Sequence, residues 1–357
     1  MNSLNHIAES LSTWWWLVLS LAFLLYIGLD GADLGAGVFT LFIRDEQERT
    51  AIMASMAGMW DGNETWLVVA GGILFGAFPL VYGSAFNYLM YPLMIALLAI
   101  MARAVAFELQ GHATRGKRFW GNAFSWGSLL ALFAAGLALG AVLQGFPIAT
   151  GLAVEQIGPR SVSPVPHYSG GAFTFLTPFT VWVGIAAVIA ASLAGGLYLC
   201  ARFEKGDPIH ERARGWTSMA SMLAMVAILV TLIWSYAIFP WAAAKWTGPY
   251  WWVWLTWLIV ALAFAYKSMS NHSIRHDVAA LLWGEGVVVL LWSALWATMF
   301  PFLVPNVWTA QAGANPSDSL AVFTLFMTGF VPIMIMYNAY QIWVFRGRLT
   351  KTATYGH

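Results

Sequence analysis

The residues with the clearest chemical potential lie in segment 59–66, whose sequence is MWDGNETW. Two carboxylates, Asp61 and Glu64, stand there with an amide and a hydroxyl at the start of an apolar run, 67–80, that is typical of a membrane helix. A charged group inside a bilayer costs about 2.5–3.5 kcal/mol or more, so acids at such a place indicate a function. The sequence therefore predicts a functional site at the head of this helix.

A second pair of acids, Asp30 and Asp33, lies in the first apolar segment, within the glycine-rich sequence 28–37. Residues three apart share one face of a helix, and these two are expected roughly 14–20 Å from its inner end. Two carboxylates so close in a medium of low dielectric constant cannot both be ionised without a large cost, so we expect at least one to hold a proton. A proton relay requires such an exchangeable proton, and the glycines allow helices or water to approach.

The other intramembrane ionisable residues are expected at a similar depth. Asp61 lies about 14 Å and Arg103 about 10 Å from the cytoplasmic ends of their helices. Glu285 lies about 10–12 Å from the same side, whereas Glu108 is nearer the surface. Arg103 could form a buried ion pair with Asp61 or Asp33 that only holds helices together. Because most of these acids have no cationic partner in the chain, a proton path is the favoured interpretation.

Composition places the chain in a membrane. Hydrophobic residues make up 60% and charged residues 9% of its 357 residues, and the mean hydropathy is +0.70, which excludes an ordinary soluble domain. A single cysteine, Cys200, excludes an internal disulfide, a zinc site built from cysteines and an iron–sulfur cluster held by this chain alone. The net charge of +1 indicates no nucleic-acid partner.

The sequence predicts an all-α polytopic membrane protein, one integral membrane domain over 1–357, with about nine transmembrane helices of roughly 20 residues or more. The predicted spans are approximately 14–42, 52–80, 83–110, 120–145, 174–201, 216–239, 250–269, 278–302 and 319–346. A short turn, 79–83, separates the second span from the third.

The basic residues predict the orientation. Most fall in alternate connections or at the C-terminus: Arg44, Arg49, Arg115, Lys117, Arg118, Arg202, Lys205, Arg212, Arg214, Lys267, Arg275, Arg346, Arg348 and Lys351. The other connections contain Arg160 and Lys245. The positive-inside rule then places the first set in the cytoplasm, the N-terminus outside and the C-terminus inside. The longest connection, 146–173, is outside on this scheme and is expected to be an ordinary loop.

The histidines are distributed in a way that disfavours a haem site. All seven fall in predicted connections or at chain ends: His6, His112, His167, His210, His272, His276 and His357. None lies in the middle of a span, where a buried haem would need an axial ligand. We therefore expect that this polypeptide binds no haem by itself and that a partner holds the cofactor if the protein serves redox chemistry.

Three segments resemble subunit II of the cytochrome bd-type quinol oxidases, bacterial terminal oxidases that reduce dioxygen to water with quinol. They are DGADLGAG (30–37), WDGNETWL (60–67) and Arg103 followed by Phe-Glu at 107–108, in this order and spacing. The resemblance extends more loosely over the full length through the apolar pattern. Ala32 departs from the family, which usually has an aromatic residue there, and Gln110 stands where a basic residue often follows. Neither change removes a proton carrier.

The resemblance implies two four-helix bundles and a peripheral helix, paired with a haem-bearing subunit I that contains two haems b, one haem d and the quinol-oxidising loop. It also implies a proton path from the cytoplasm at the subunit interface, with charge separation but no proton pumping. By motif position the path or its surround would include Asp30, Asp33, Asp61, Arg103 and Glu108. Glu64 and Glu285 are weaker candidates, and Trp66 would lie near a lateral dioxygen entrance.

Further expectations concern location and partners. The family implies the bacterial inner (plasma) membrane, small single-helix accessory subunits, contacts with membrane lipid, and no catalytic residue in this chain itself. Some members hold a structural quinone in subunit II.

A proton-coupled secondary transporter is the alternative function, since midplane acids and glycine-interrupted helices are also typical of transporters. A purely structural membrane partner is a third possibility. A transporter would usually show internal repeats, and no convincing second copy of 30–33 or 60–63 is present.

Overall fold

The computed structural model describes residues 2–113, 115–149, 167–168 and 170–353, with side chains from residue 10 onward except at 112, 148–149 and 167–168. Most of the predicted outer connection, including Arg160, lies outside the described residues. Helices account for most of what is described.

Thirteen α-helices and two short ribbons form the described structure. The helices are α1 (Asn2–Phe39), α2 (Glu46–Met56), α3 (Trp60–Ala77), α4 (Pro79–Tyr88), α5 (Met90–His112), α6 (Lys117–Gln144), α7 (Pro178–Arg202), α8 (Pro208–Ile238), α9 (Pro240–Trp246), α10 (Trp251–Ser273), α11 (Asp277–Met299), α12 (Ala310–Gly313) and α13 (Ser317–Val344). A 3₁₀ turn, Thr40–Phe42, continues α1. The antiparallel ribbons pair β1 (Ile148–Ala149) with β2 (His167–Tyr168) and β3 (Phe302–Val304) with β4 (Trp308–Thr309).

Eight helices in the described part of the chain are long and apolar enough to cross a membrane. They are α1, α5, α6, α7, α8, α10, α11 and α13. They correspond to every predicted span except the second. The prediction of an all-α polytopic membrane protein is thereby confirmed.

The second predicted span, 52–80, is not a single helix. Helix α2 ends at Met56, a turn follows, and α3 begins only at Trp60. The first turns of α3 are polar, so this helix is not among the eight apolar ones, although its 18 residues extend about 27 Å. The apolar side chains that made the predicted span too long, such as Ile52 and Met53, are buried inside the protein and do not face lipid.

Prolines and a helix cap explain the other shifted boundaries. Pro79 begins α4 and a further break at Leu89 separates it from α5, so the predicted third span, 83–110, joins parts of two helices. Helix α8 begins at Pro208, well before the predicted 216, because Asp207 caps it by accepting a hydrogen bond from the backbone of Ile209.

The long helices pack in two groups. Helix α1 contacts α3 and α6, and α6 contacts α5; in the other group α7 contacts α8 and α11, and α11 contacts α10. Helix α7 joins the groups by packing against both α1 and α6. Helix α13 lies at the periphery against α1 and α3 with most of its surface exposed. This arrangement matches the two four-helix bundles and peripheral helix that the resemblance implies.

Helices α1 and α7 approach closely because both have glycine at the crossing point. A Cβ atom on Gly35 would overlap the carbonyl oxygen of Ala191, and a Cβ atom on Gly195 would overlap the backbone at Ala36. Backbone can contact backbone here only without side chains, as in other membrane helix pairs with small residues at the interface. The two halves of the protein are therefore joined at a site that tolerates no larger residue.

The C-terminal tail closes one end of the helix groups. This end, formed by α2, the α7–α8 connection and the tail, is called the basic end below. The backbone nitrogen of Leu349 donates to the carbonyl oxygen of Arg202 at 2.8 Å. Arg348 Nη2 donates to Asp277 Oδ2 at 3.1 Å, and the same oxygen lies 3.2 Å from His210 Nε2. These contacts attach the tail to α7 and α11, and α11 to α8.

Replacing Gly35 by Ala is expected to destabilise the protein, because the added methyl group overlaps the backbone of α7. Overpacking of this kind costs about 1–3 kcal/mol or more. Gly31→Ala is the matched control, since Gly31 is also buried on α1 but has no atom within 4 Å of its Cβ position. The measurement is the thermal unfolding midpoint of the purified protein in detergent. Equal midpoints for both variants would contradict the close crossing.

Candidate functional site

Helix α1 presents Asp30 and Asp33 on the face that meets α3 and α5. Both side chains are buried, with 0% and 1% of their surface exposed. They share a helix face, as their spacing predicts, but they have different partners. Asp30 contacts α5, whereas Asp33 contacts α3.

Arg103 of α5 forms a buried ion pair with Asp30. Its Nη1 donates to Asp30 Oδ1 at 2.9 Å, and its side chain is 1% exposed. The same nitrogen lies 3.8 Å from Oε2 of Glu64, whose side chain is 22% exposed. The guanidinium carbon lies 5.9 Å from the ring centroid of Phe124 on α6. Loss of either partner of such a pair leaves an uncompensated charge in the interior.

Asp33 is held by an amide from α3. Asn63 Nδ2 donates to Asp33 Oδ2 at 2.8 Å, and Asn63 is buried. The polar head of α3 therefore supplies Asn63 to one aspartate and Glu64 to the arginine beside the other. We refer to Asp30, Asp33, Glu64 and Arg103 as the acid–arginine cluster.

The cluster contains polar atoms that the protein leaves unpaired. Asp30 Oδ2, Glu64 Oε2, and Nε and Nη2 of Arg103 are buried and have no hydrogen-bond partner among the described residues. Buried polar groups are almost always paired with protein or with ordered water. Gly31, between the two aspartates, leaves the space of a side chain free. The cluster thus has both the polar atoms and the adjacent room that internal water requires.

Asp61, Glu108 and Glu285 lie outside this cluster. Asp61 is exposed on α3, one turn before Glu64, and its carboxylate makes no hydrogen bond or ion pair within the described part of the chain. Glu108 is exposed and, with Trp60, lines an open groove of about 410 Å³. Glu285 approaches a different side of α1, where its Oε2 would lie 3.1 Å from a Cβ atom on Gly28.

Trp66 anchors α3 to the peripheral helix. It is 1% exposed, and its Nε1 donates to Asn338 Oδ1 of α13 at 2.6 Å. Asn338 Nδ2 in turn donates to Gln341 Oε1 at 3.2 Å. The resemblance placed Trp66 near a lateral dioxygen entrance, and its polar partner on α13 was not predicted from the sequence.

Two buried polar residues of α1 and α3 were also missed as site residues. Asn63 was recognised only as part of a motif, although its amide binds Asp33. Tyr26 lies one turn before Asp30 on α1, is buried, and its hydroxyl interacts with the Asp30 carboxylate. The i, i+4 spacing of Tyr26 and Asp30 was the available signal.

The described histidine side chains lie at helix ends or in connections. His210 and His272 are buried at helix ends, where His210 contacts Asp277 and His272 Nε2 lies 3.3 Å from Ser218 Oγ. His276 is exposed beside the start of α11, and no histidine lines the open groove at Trp60 and Glu108. The side chains of His6, His112, His167 and His357 lie outside the described residues.

The arrangement is suited to moving protons. A partly exposed acid stands beside a buried ion pair, and the unpaired polar atoms between them can bind water. Within the described residues no group of three or more His, Cys, Asp or Glu side chains could hold a metal ion. The carboxyl groups of the acid–arginine cluster are groups that can exchange protons with water.

Comparison with known proteins identifies the family. The sequence model described as cytochrome bd terminal oxidase subunit II matches residues 11–345. The chain belongs to this family. The resemblance seen in the three sequence segments is confirmed, and this family member is a subunit of a quinol oxidase complex.

Curated relatives have the same subunit designation. Cytochrome bd-I ubiquinol oxidase subunit 2 of Escherichia coli (strain K12) is 28% identical, over 94% of both chains. Cytochrome bd ubiquinol oxidase subunit 2 of Bacillus subtilis (strain 168) is 28% identical over 62% of this chain and 61% of the relative. A chain of the bd oxidase from Geobacillus thermodenitrificans has a TM-score of 0.74 at 17% identity, covering 94% of this chain and 99% of that one. This structural likeness shows a shared fold.

Arg103→Met is expected to lower the free energy of unfolding by about 3–5 kcal/mol, because it leaves Asp30 as an unpaired buried charge. Adding Asp30→Asn should recover part of the loss, since the double variant no longer buries that charge. Arg275→Met serves as the control, because its pair with Glu211 is exposed and worth about 0–1 kcal/mol. Thermal unfolding in detergent measures all three. A double variant no more stable than Arg103→Met alone would contradict the coupling.

Proposed function

We propose that this chain, as subunit II of a bd-type quinol oxidase, conducts protons to the haem-bearing subunit through the acid–arginine cluster. The observation that supports this most directly is the continuity between surface and interior. Glu64 is 22% exposed, and its Oε2 lies 3.8 Å from Nη1 of Arg103. The same nitrogen donates a hydrogen bond to the fully buried Asp30. Water bound at the unpaired polar atoms of the cluster would connect Glu64 with the buried carboxylate of Asp30.

Asp61 and Glu64 would form the outer part of this path. They are three residues apart on α3, so their side chains share a face of the helix, and they interact electrostatically. Asp61 is exposed and would exchange protons with water, while Glu64 would transfer them inward. Glu108, exposed beside Trp60 at the groove on α5, would collect protons near the same helices.

Arg103 and the two aspartates would form the inner part. Arg103 remains charged and orients Asp30 through the 2.9 Å bond, which leaves Asp30 Oδ2 free for water or a proton. Asn63 orients Asp33 in the same way from α3. Glu285 lies on a different side of α1 and is assigned no step; its role as a weaker candidate stays a prediction.

The partner assignments belong to the same proposal. Two haems b and one haem d would be held by subunit I, where they would transfer electrons from quinol to dioxygen, and this chain would contribute no haem ligand. Quinol would be oxidised near the outer face. Protons consumed at dioxygen would come from the cytoplasm, with the N-terminus outside and the C-terminus inside, so that charge separation arises without pumping.

Trp66 would border the route by which dioxygen reaches the complex laterally from the membrane. The residue is buried against α13 in the isolated chain, so its indole would form a fixed wall rather than a mobile gate. Small accessory subunits, a structural quinone and bound lipid would add to the complex. Nothing in the fold or in the relatives favours the transporter alternative.

Asp61→Asn and Glu64→Gln are expected to slow quinol-dependent oxygen consumption by about tenfold or more, because each removes one proton-accepting group from the path. Haem absorption bands should be unchanged, since neither residue is placed at a haem. Glu204→Gln, an exposed acid at the basic end, is the matched control and should retain full activity. The assay is oxygen uptake by the purified complex with a soluble quinol.

The outcomes distinguish a role of Asp61 and Glu64 in proton conduction from a structural role. Unchanged turnover in both Asp61→Asn and Glu64→Gln would refute the proton path. Loss of the haem bands would instead give these residues a structural role. Slow turnover with intact bands, and a normal rate in Glu204→Gln, is the result expected.

A further inference from the structure

Tyr26 is a buried polar residue of α1 that lies near the acid–arginine cluster. It precedes Asp30 by four residues, so its side chain lies on the same face of the helix, about 6 Å farther from the end of α1 at Phe39. Tyr26 is 9% exposed. Its hydroxyl interacts with the Asp30 carboxylate, and it is close enough to Arg103 and Glu64 to interact electrostatically with both.

Asp30 has an oxygen available for this tyrosine. Oδ1 accepts the bond from Arg103, whereas Oδ2 is buried without a hydrogen-bond partner among the described residues. A buried tyrosine hydroxyl normally has a polar partner. One water molecule could join the Tyr26 hydroxyl to Oδ2, and the unpaired nitrogens of Arg103 could donate to the same water.

Beyond Tyr26 this face of α1 becomes apolar. One turn farther along, Ala22 and Leu19 are each 1% exposed, and they pack in the main hydrophobic core with Trp15. A proton that has reached Asp30 therefore has Tyr26 as its next exchangeable group in this direction along α1.

We infer that Tyr26 is a relay residue that extends the proton path one helical turn beyond Asp30. The inference rests on the proposed function of the acid–arginine cluster. In the step, the phenol oxygen accepts a proton from the Asp30 carboxyl group, or from a water bound to it, as its own O–H proton passes to a second water molecule, which is the proposed acceptor. The phenol is neutral before and after, so no oxidant or reductant is needed.

The alternative role is purely structural: the Tyr26 hydroxyl would only hold Asp30 in one rotamer. A structural role would change stability, haem content or the Michaelis constant for quinol. A relay role would change kcat and the sensitivity of the rate to deuterium, because proton transfer would become slower than electron transfer. These readouts separate the two roles in one variant.

The test uses the complete oxidase complex with Tyr26→Phe, which removes the hydroxyl and keeps the ring. The isosteric control is Tyr91→Phe on α5, where the ring stacks on Phe173 at 5.2 Å away from the cluster. Glu64→Gln is the reference for the proposed path. Oxygen consumption with a soluble quinol is measured in H₂O and in D₂O, with proton uptake followed by a pH-indicator dye and thermal unfolding measured in parallel.

Tyr26→Phe is expected to lower kcat about fivefold to tenfold, the effect of losing one hydrogen-bonding group. The ratio of rates in H₂O and D₂O should rise, while KM, haem bands and unfolding midpoint stay at the wild-type values and Tyr91→Phe behaves as wild type. A normal kcat in Tyr26→Phe with a slow Glu64→Gln would overturn the role of Tyr26 and leave the proposed function standing. Normal rates in both variants would overturn both. A lowered unfolding midpoint with an unchanged isotope ratio would make Tyr26 structural.

Discussion

The buried contact between Arg103 and Asp30 is the interaction on which the site depends. Both side chains are almost completely removed from solvent, and their charged atoms lie 2.9 Å apart. Neither group could remain charged inside the bilayer alone, because the desolvation cost would be several kcal/mol for each. The pair connects α1 to α5 and leaves three further buried polar atoms, one on Asp30 and two on Arg103, for water. One contact therefore both holds the helices together and creates a polar interior.

Helix α1 makes this arrangement possible because its faces have different roles. The glycine face, at Gly35, contacts the backbone of α7 and joins the two helix groups. The acid face contacts α3 and α5 through Asp33 and Asp30. A helix in the centre of the protein can present buried acids only if neighbouring helices supply their partners. Here the polar head of α3 supplies the amide of Asn63 and the carboxylate of Glu64, so the residues that shorten its apolar part are those that complete the site.

Predictions from the sequence agree with the structure where they depend on residues close together in the chain, and fail where they depend on contacts between distant residues. Hydropathy depends on consecutive residues, so eight of the predicted spans correspond to helices. The second span failed because the apolar side chains of α2, such as Ile52 and Met53, are buried in protein at the basic end. Composition cannot distinguish such burial from burial in lipid. Asp30, Asp33 and Arg103 could be singled out as candidate site residues because ionisable residues in apolar segments are rare. Tyr26, Asn63 and Asn338 could not, because tyrosine and amides are common in membrane helices without any function.

The sequence by itself determined the membrane class, the family and the identities of the intramembrane acids, since composition and local motifs specify these. Only the tertiary structure decided which acids meet. Arg103 had Asp61 and Asp33 as its predicted partners, yet it contacts Asp30, while Asp61 is exposed and Glu285 lies on another side of α1. Depth along a helix follows from counting residues, but the rotation of each helix about its axis does not. That rotation is set by packing across the bundle, such as the glycine contact between α1 and α7, and packing of this kind joins residues far apart in the chain.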